Sequence, residues 1–237
     1  MESYSQFLSR IGSFEHSVLS FDKGRFNVSG GLKAKVNEQN LFRPFYGDTA
    51  VFDLDDKSKQ KINHIIDTLT ANAPECFCDR LGYGTLHMTL HDLSSSENEQ
   101  DVLAKMNDNQ TKLEALLKEA PVGTFEIKMR SKAIFNMVGT SLVLGLYPTD
   151  EEQYNKLMAL YSLIDKVMTL PYPLTPHITL GYYSFSGFDE AAAARLCSAV
   201  NRLNTEPFDI TLDTSRLVYQ HFKDMNSYKN ILFLTAL

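Results

Sequence analysis

The chain has 237 residues, of which 43% are hydrophobic and 22% charged, and a formal net charge of −6. This is an ordinary globular composition, long enough for one large domain or two closely joined lobes. The acidic balance argues against a protein that tracks duplex nucleic acid. No run approaches the roughly 18 apolar residues that a membrane span needs. Met1-Glu2-Ser3-Tyr4-Ser5 has no basic stretch followed by an apolar run, so no signal peptide is expected.

Residues 1–40 are polar and contain Gly24, Gly30 and Gly31. A short helix near Tyr4 to Ile11 is expected there, then loop or a weak hairpin, the whole forming an extension that packs on a main body of residues 41–237. A strand is predicted from Thr49 to Leu54. Asp55-Asp56 then caps a helix over about Lys57 to Ala71, with Ile62, Ile65, Ile66 and Leu69 on one stripe. Pro74 closes it. A second strand spans about Thr85 to Leu93. The polar stretch Ser94 to Gln100 leads into a helix ending near Glu119, whose inward face is read as Leu103, Met106, Leu113, Leu116 and Leu117.

Beyond Pro121, strands at Phe125 to Phe135 and Ser141 to Tyr147 form a hairpin through Asn136-Met137-Val138-Gly139-Thr140. Pro148-Thr149-Asp150 starts a helix over about Glu151 to Met168. Its inward set is Leu157, Leu160, Leu163, Ile164 and Val167. A strand from His177 to Tyr183, a loop at Ser186 to Asp189 and an Ala-rich helix from Glu190 to Asn201 follow. Three strands end the chain, at Phe208 to Leu212, Leu217 to Phe222 and Asn230 to Thr235. The order is not a clean βαβ alternation. It predicts an α+β protein of mostly antiparallel sheet with helices on the outer faces.

One local pattern occurs twice. His87-Met88-Thr89-Leu90 returns ninety residues later as His177-Ile178-Thr179-Leu180, and both copies fall on predicted strands. Residues two apart on a strand share a face, so each copy aims an imidazole and a hydroxyl one way and an apolar side chain the other. With six His in the chain, chance would give two His-apolar-Thr-apolar runs on the order of once in several hundred such compositions. A single copy would read as a buried strand with a satisfied histidine; a pair reads as a site. Two facing pairs supply an acid, a base and two hydroxyl donors around one anion, which is the equipment for cleaving a phosphoester without metal.

The doubled motif, its spacing and the run Leu174-Thr175-Pro176-His177-Ile178-Thr179-Leu180 resemble the 2H phosphoesterase superfamily, which includes LigT-like RNA ligases and cyclic phosphodiesterases. The resemblance covers about residues 40 to 237. Gly47-Asp48-Thr49-Ala50-Val51 together with Leu86-His87-Met88-Thr89 is similar to a little-characterised bacterial and fungal branch of it. The resemblance implies two pseudo-symmetric lobes, each lining a central groove with one His-x-Thr strand. It also implies opening of a 2′,3′-cyclic phosphate, or hydrolysis or ligation of a 2′–5′ linkage, with His87, Thr89, His177 and Thr179 catalytic. Which histidine is acid and which is base stays open. The alternative is a binding module that holds a cyclic nucleotide or RNA end in the same groove without turning it over.

The family often carries a basic residue shortly after each motif. Here Asp92 and Tyr182 stand at the fifth position after His87 and His177. Replacement phosphate or substrate contacts are sought in Arg43, Arg80, Arg130, Lys132 and Tyr183, the last expected on the His177 face. Tyr46 and Phe45 are candidates for stacking a base. His91, four after His87, is expected to share its face, as groove lining or as a hydrogen-bond partner of His87 or Thr89. A zinc pair of His87 with His91 is disfavoured, because Met88 stands where the metalloprotease motif needs Glu. His16 and His64 read as peripheral, and His221 as core or surface.

No phosphate-cradling glycine loop, dinucleotide fingerprint or serine elbow is present, so no cofactor is expected. Cys76, Cys78 and Cys197 are odd in number, and Cys-Phe-Cys is neither a zinc nor a thioredoxin spacing. Reduced thiols and a cytoplasmic, monomeric protein are the expectation.

Overall fold

A computed structural model describes residues 2–15 and 19–235; His16 lies outside the described residues. Helix α1 is Tyr4–Phe14, begun by a reciprocal capping box between Ser3 and Gln6. A small hairpin of β1 (Phe21–Asp22) and β2 (Arg25–Phe26) and the single turn α2 (Gly30–Lys33) follow. The main body then runs β3 (Tyr46–Asp53), α3 (Asp56–Asn72), β4 (His87–Ser96), α4 (Glu99–Glu119), β5 (Glu126–Met137) and β6 (Ser141–Pro148). It continues as α5 (Glu151–Asp165), β7 (His177–Tyr182), α6 (Glu190–Leu203), β8 (Asp209–Asp213), β9 (Leu217–Asp224) and β10 (Ser227–Phe233). Helices α3, α4, α5 and α6 start on Asp55, Asn98, Asp150 and Asp189, whose side chains accept orphan backbone N–H groups of the first turn.

Strands β3 to β10 form one antiparallel sheet in the order β10-β9-β3-β4-β7-β6-β5-β8. It consists of two four-stranded halves. The motif strands β4 and β7 are the inner edge of each half and meet at the centre through one paired position, Met88 with Ile178. The architecture is α+β, as the element order predicts. Two details differ. The polar Ser94–Ser96 extends β4 instead of forming a loop, because β3 begins at Tyr46 and pairs with it as far as Ser96. On α4, Val102 faces inward and Leu103 is 48% exposed.

The even positions Met88, Leu90, Ile178 and Leu180 are buried in one continuous core with Ile62, Ile66 and Leu69 of α3 and Leu196 of α6. Burying each such side chain favours the fold by about 1.5–3 kcal/mol, which fixes both strands with their odd positions turned the opposite way. Helix α1 packs on the far half. Phe14 stacks on Phe135 at 5.8 Å, Phe7 lies 5.0 Å from Tyr154, and Tyr4 Oη donates to the Pro148 carbonyl at 3.1 Å.

Candidate active site

The pairing of Met88 with Ile178 sets the chemistry-bearing residues against each other. In an antiparallel pair, neighbours of a paired position face each other crosswise. His87 therefore stands across from Thr179, and Thr89 across from His177. All four line a groove of about 750 Å³ on the face opposite the main core. The Tyr228 ring of β10 meets the His87 ring at 5.2 Å.

The two imidazoles are held alike. His177 Nδ1 lies 2.7 Å from the Thr175 carbonyl. A carbonyl only accepts, so Nδ1 carries the hydrogen and Nε2 is left with its lone pair. His87 makes a hydrogen bond with the backbone of Thr85, also two residues earlier. Burial pulls the pKa of His87 down to about 4 and that of His177 below its ordinary value; the backbone hydrogen bonds and Asp92 oppose this. The groove thus holds two neutral rings at neutral pH.

Each motif strand carries a β-bulge just after its threonine. On β4, Thr89 pairs with Val51 and His91 with Ala50, so Leu90 is extra. On β7, Thr179 pairs with Val143 and Gly181 with Leu142, so Leu180 is extra. An extra residue reverses the face of everything after it. His91 is therefore carried to the helix side. There it is 1% exposed, its ring tilted 4.8 Å from that of Tyr161 and its Nε2 3.3 Å from Asp165 Oδ1, and with Tyr161 it lines the groove wall. It does not share the His87 face. Among the described residues no group of three or more His, Cys, Asp or Glu is arranged to hold a metal ion.

The same reversal corrects the placement of Tyr183. It is fully buried among Phe26, Phe188 and Phe77, away from the groove. Tyr182 faces the groove instead, as does its counterpart Asp92, which accepts from Tyr172 Oη at 3.3 Å. At the bulge the other half carries Gly181 where β4 has His91, because a Cβ there would stand 3.0 Å from the Phe77 ring.

Arg130 and Lys132 are exposed and pair with Asp209 and Glu15, both at 3.0 Å, rather than lining the groove. Arg43 pairs with Glu97 and Arg80 with Asp67. Phe45 lines the groove but its neighbour Tyr46 does not. His221 lies beside Tyr219, with Nε2 3.1 Å from its hydroxyl.

The groove's cations, Arg10 and Lys35, come from the segment before residue 41. Arg10 of α1 donates to Thr175 Oγ1 at 3.1 Å and to the Leu174 carbonyl at 2.8 Å, and pairs with Glu2 at 2.5 Å. It thereby pins the segment whose Thr175 carbonyl orients His177. Lys35 projects between the rings of Phe45 and Tyr182, 5.1 and 5.6 Å from their centroids.

The chain has the fold of Atu0111. That conserved protein of unknown function from Agrobacterium tumefaciens superposes with a TM-score of 0.68 at 16% identity, over 88% of this chain and 94% of Atu0111. Matches in structure extend, at low identity, to two further proteins. E. coli LigT complexed with 3′-AMP is 14% identical with a TM-score of 0.46, over 79% of this chain and 96% of LigT. TT0787 of Thermus thermophilus is 14% identical with a TM-score of 0.49, over 79% of this chain and 97% of TT0787. No family model and no curated protein match the sequence.

Proposed function

We propose that the chain is a metal-independent phosphodiesterase of the 2H type that acts on a nucleotide-derived substrate, a 2′,3′-cyclic phosphate or a short 2′–5′-linked oligonucleotide. What carries this reading is the crosswise register of the two His-x-Thr strands at the floor of one groove. In the proposed reaction one neutral imidazole takes a proton from water through Nε2. The water oxygen bonds to phosphorus, the bond from phosphorus to one ribose oxygen breaks, and the other ring, protonated in the reactive fraction of molecules, gives its proton to that oxygen. Thr89 and Thr179 donate to the non-bridging oxygens as charge builds there. The rings exchange roles when the reaction runs backwards. A groove of about 750 Å³ has room for a nucleotide as well as its phosphate.

The test is a turnover screen of the wild-type chain, with a chelator present, against the four nucleoside 2′,3′-cyclic monophosphates and a 2′–5′-linked dinucleotide. Metal-independent product from any of them supports the reading. A second reading, a module that binds the same ligands without turnover, is favoured by the low pKa of His87 and by Asp92 and Tyr182 standing at the positions where a basic residue is expected after each motif. Saturable binding with no product across the set would decide for it.

A further inference from the structure

The groove contains a cation that no ion pair among the described residues holds. Four side chains with permanent charge line it: Arg10, Lys35, Asp48 and Asp92. Arg10 is bound to Glu2. Asp48 is consumed on the opposite side by Ser94 N, Asn109 and Tyr219. Lys35 is in no ion pair among the described residues. Its ammonium rests against the faces of Phe45 and Tyr182; burial lowers its pKa, and the charge of Asp92, which is not in an ion pair with it, offsets only part of that lowering. An ammonium taken out of water without a counter-ion is costly unless an anion arrives to meet it. Its position is nonetheless tightly specified: Lys35 N donates to Leu32 O at 2.8 Å, and Lys35 O accepts from Arg43 N at 2.8 Å. Tyr182 belongs to the same strand as His177 and Thr179, and the positive charge of Lys35 is felt at His177.

We propose that Lys35 is the phosphate-binding cation of this groove, supplied by the segment ahead of the sheet in place of a basic residue on the motif strands. This rests on the reading of the groove as a phosphodiester site, and it names the residue that neutralises the anion there. The aromatic pair keeps the ammonium aimed inward while leaving its N–H donors free for phosphate oxygens.

The test measures binding, with no turnover involved. Inorganic phosphate, a nucleoside 3′-monophosphate and the parent nucleoside are titrated into the wild type, Lys35→Met and Lys35→Arg by calorimetry. Lys35→Met keeps the apolar stem between the two rings, and equal urea midpoints establish that it is folded. The expected result is at least about 10-fold weaker binding of both phosphate probes to Lys35→Met, with nucleoside affinity unchanged and Lys35→Arg close to wild type. Equal phosphate affinity in wild type and Lys35→Met overturns the proposal. So does a wild type with no saturable phosphate binding. A groove that binds phosphate through Lys35 yet opens no phosphodiester in the turnover screen would overturn the proposed function and leave the role of Lys35 standing.

Discussion

His87 and His177 are both neutral in the groove because burial outweighs the hydrogen bonds and the Asp92 charge that would protonate them. A reaction that needs one ring protonated draws on the singly protonated form, whose population peaks between the two depressed pKa values and declines above the higher one. Both lie below the ordinary histidine value. We therefore expect kcat/KM for a 2′,3′-cyclic nucleotide, which keeps one negative charge throughout, to fall about tenfold between pH 7 and pH 8. A pH-rate profile flat over that interval would contradict the paired roles. At the same scale, Arg10 is a positioning residue, since it touches Leu174 and Thr175, and Thr175 in turn holds the His177 ring. Arg10→Met should lower kcat on the order of tenfold while KM changes little, because misplacing a reacting group costs rate more than binding. A fall in thermal stability with unchanged kcat would reduce Arg10 to a structural tie.

Among the elements, β4 carries the most information. Its first bulge turns the His91 ring towards Tyr161 and Asp165 at the wall of the groove and presents Asp92, and the equivalent bulge on β7 presents Tyr182. These insertions have no compositional mark, so counting in twos is correct from His87 to Thr89 and wrong from His91 onward. The same is true of Tyr183. The motif pairs themselves were legible because they precede the bulges. Gly47 and Asp48 explain a second irregularity, where β3 meets Ser94. A Cβ on Gly47 would stand 2.3 Å from the Ser94 carbonyl oxygen and 2.4 Å from the Phe222 ring, while the Asp48 carboxylate takes the Ser94 N–H at 2.7 Å. Gly47→Ala must displace backbone and should destabilise by roughly 1–3 kcal/mol. A urea midpoint equal to wild type would show that β3 and β4 relax more freely than their register implies.

For the whole molecule, the sequence carried the α+β order, the helix starts at Asp55 and Asp150 and the identity of the motif strands, since each is a local pattern. It was silent on Lys35 and Arg10, because what brings them to the groove is contact with Tyr182 and Thr175, more than a hundred positions away in the chain. The buried imidazoles also couple fold to pH. Folding lowers the pKa of His87 from 6.5 to about 4, so its contribution to stability is intact above pH 6.5 and is lost as pH falls towards 4. The loss amounts to roughly 3 kcal/mol at completion. Urea unfolding at pH 7 and pH 4.5 should show a smaller acid loss for His87→Gln than for wild type; identical losses would mean that the ring is hydrated in solution.

The most direct test of the central claim compares turnover of a 2′,3′-cyclic nucleotide by the wild type, His87→Ala and His177→Ala with chelator present, each variant first matched to wild type by urea midpoint. Paired acid and base catalysis predicts a loss of at least about 10²-fold in kcat for either substitution. Full activity in both folded variants would contradict it.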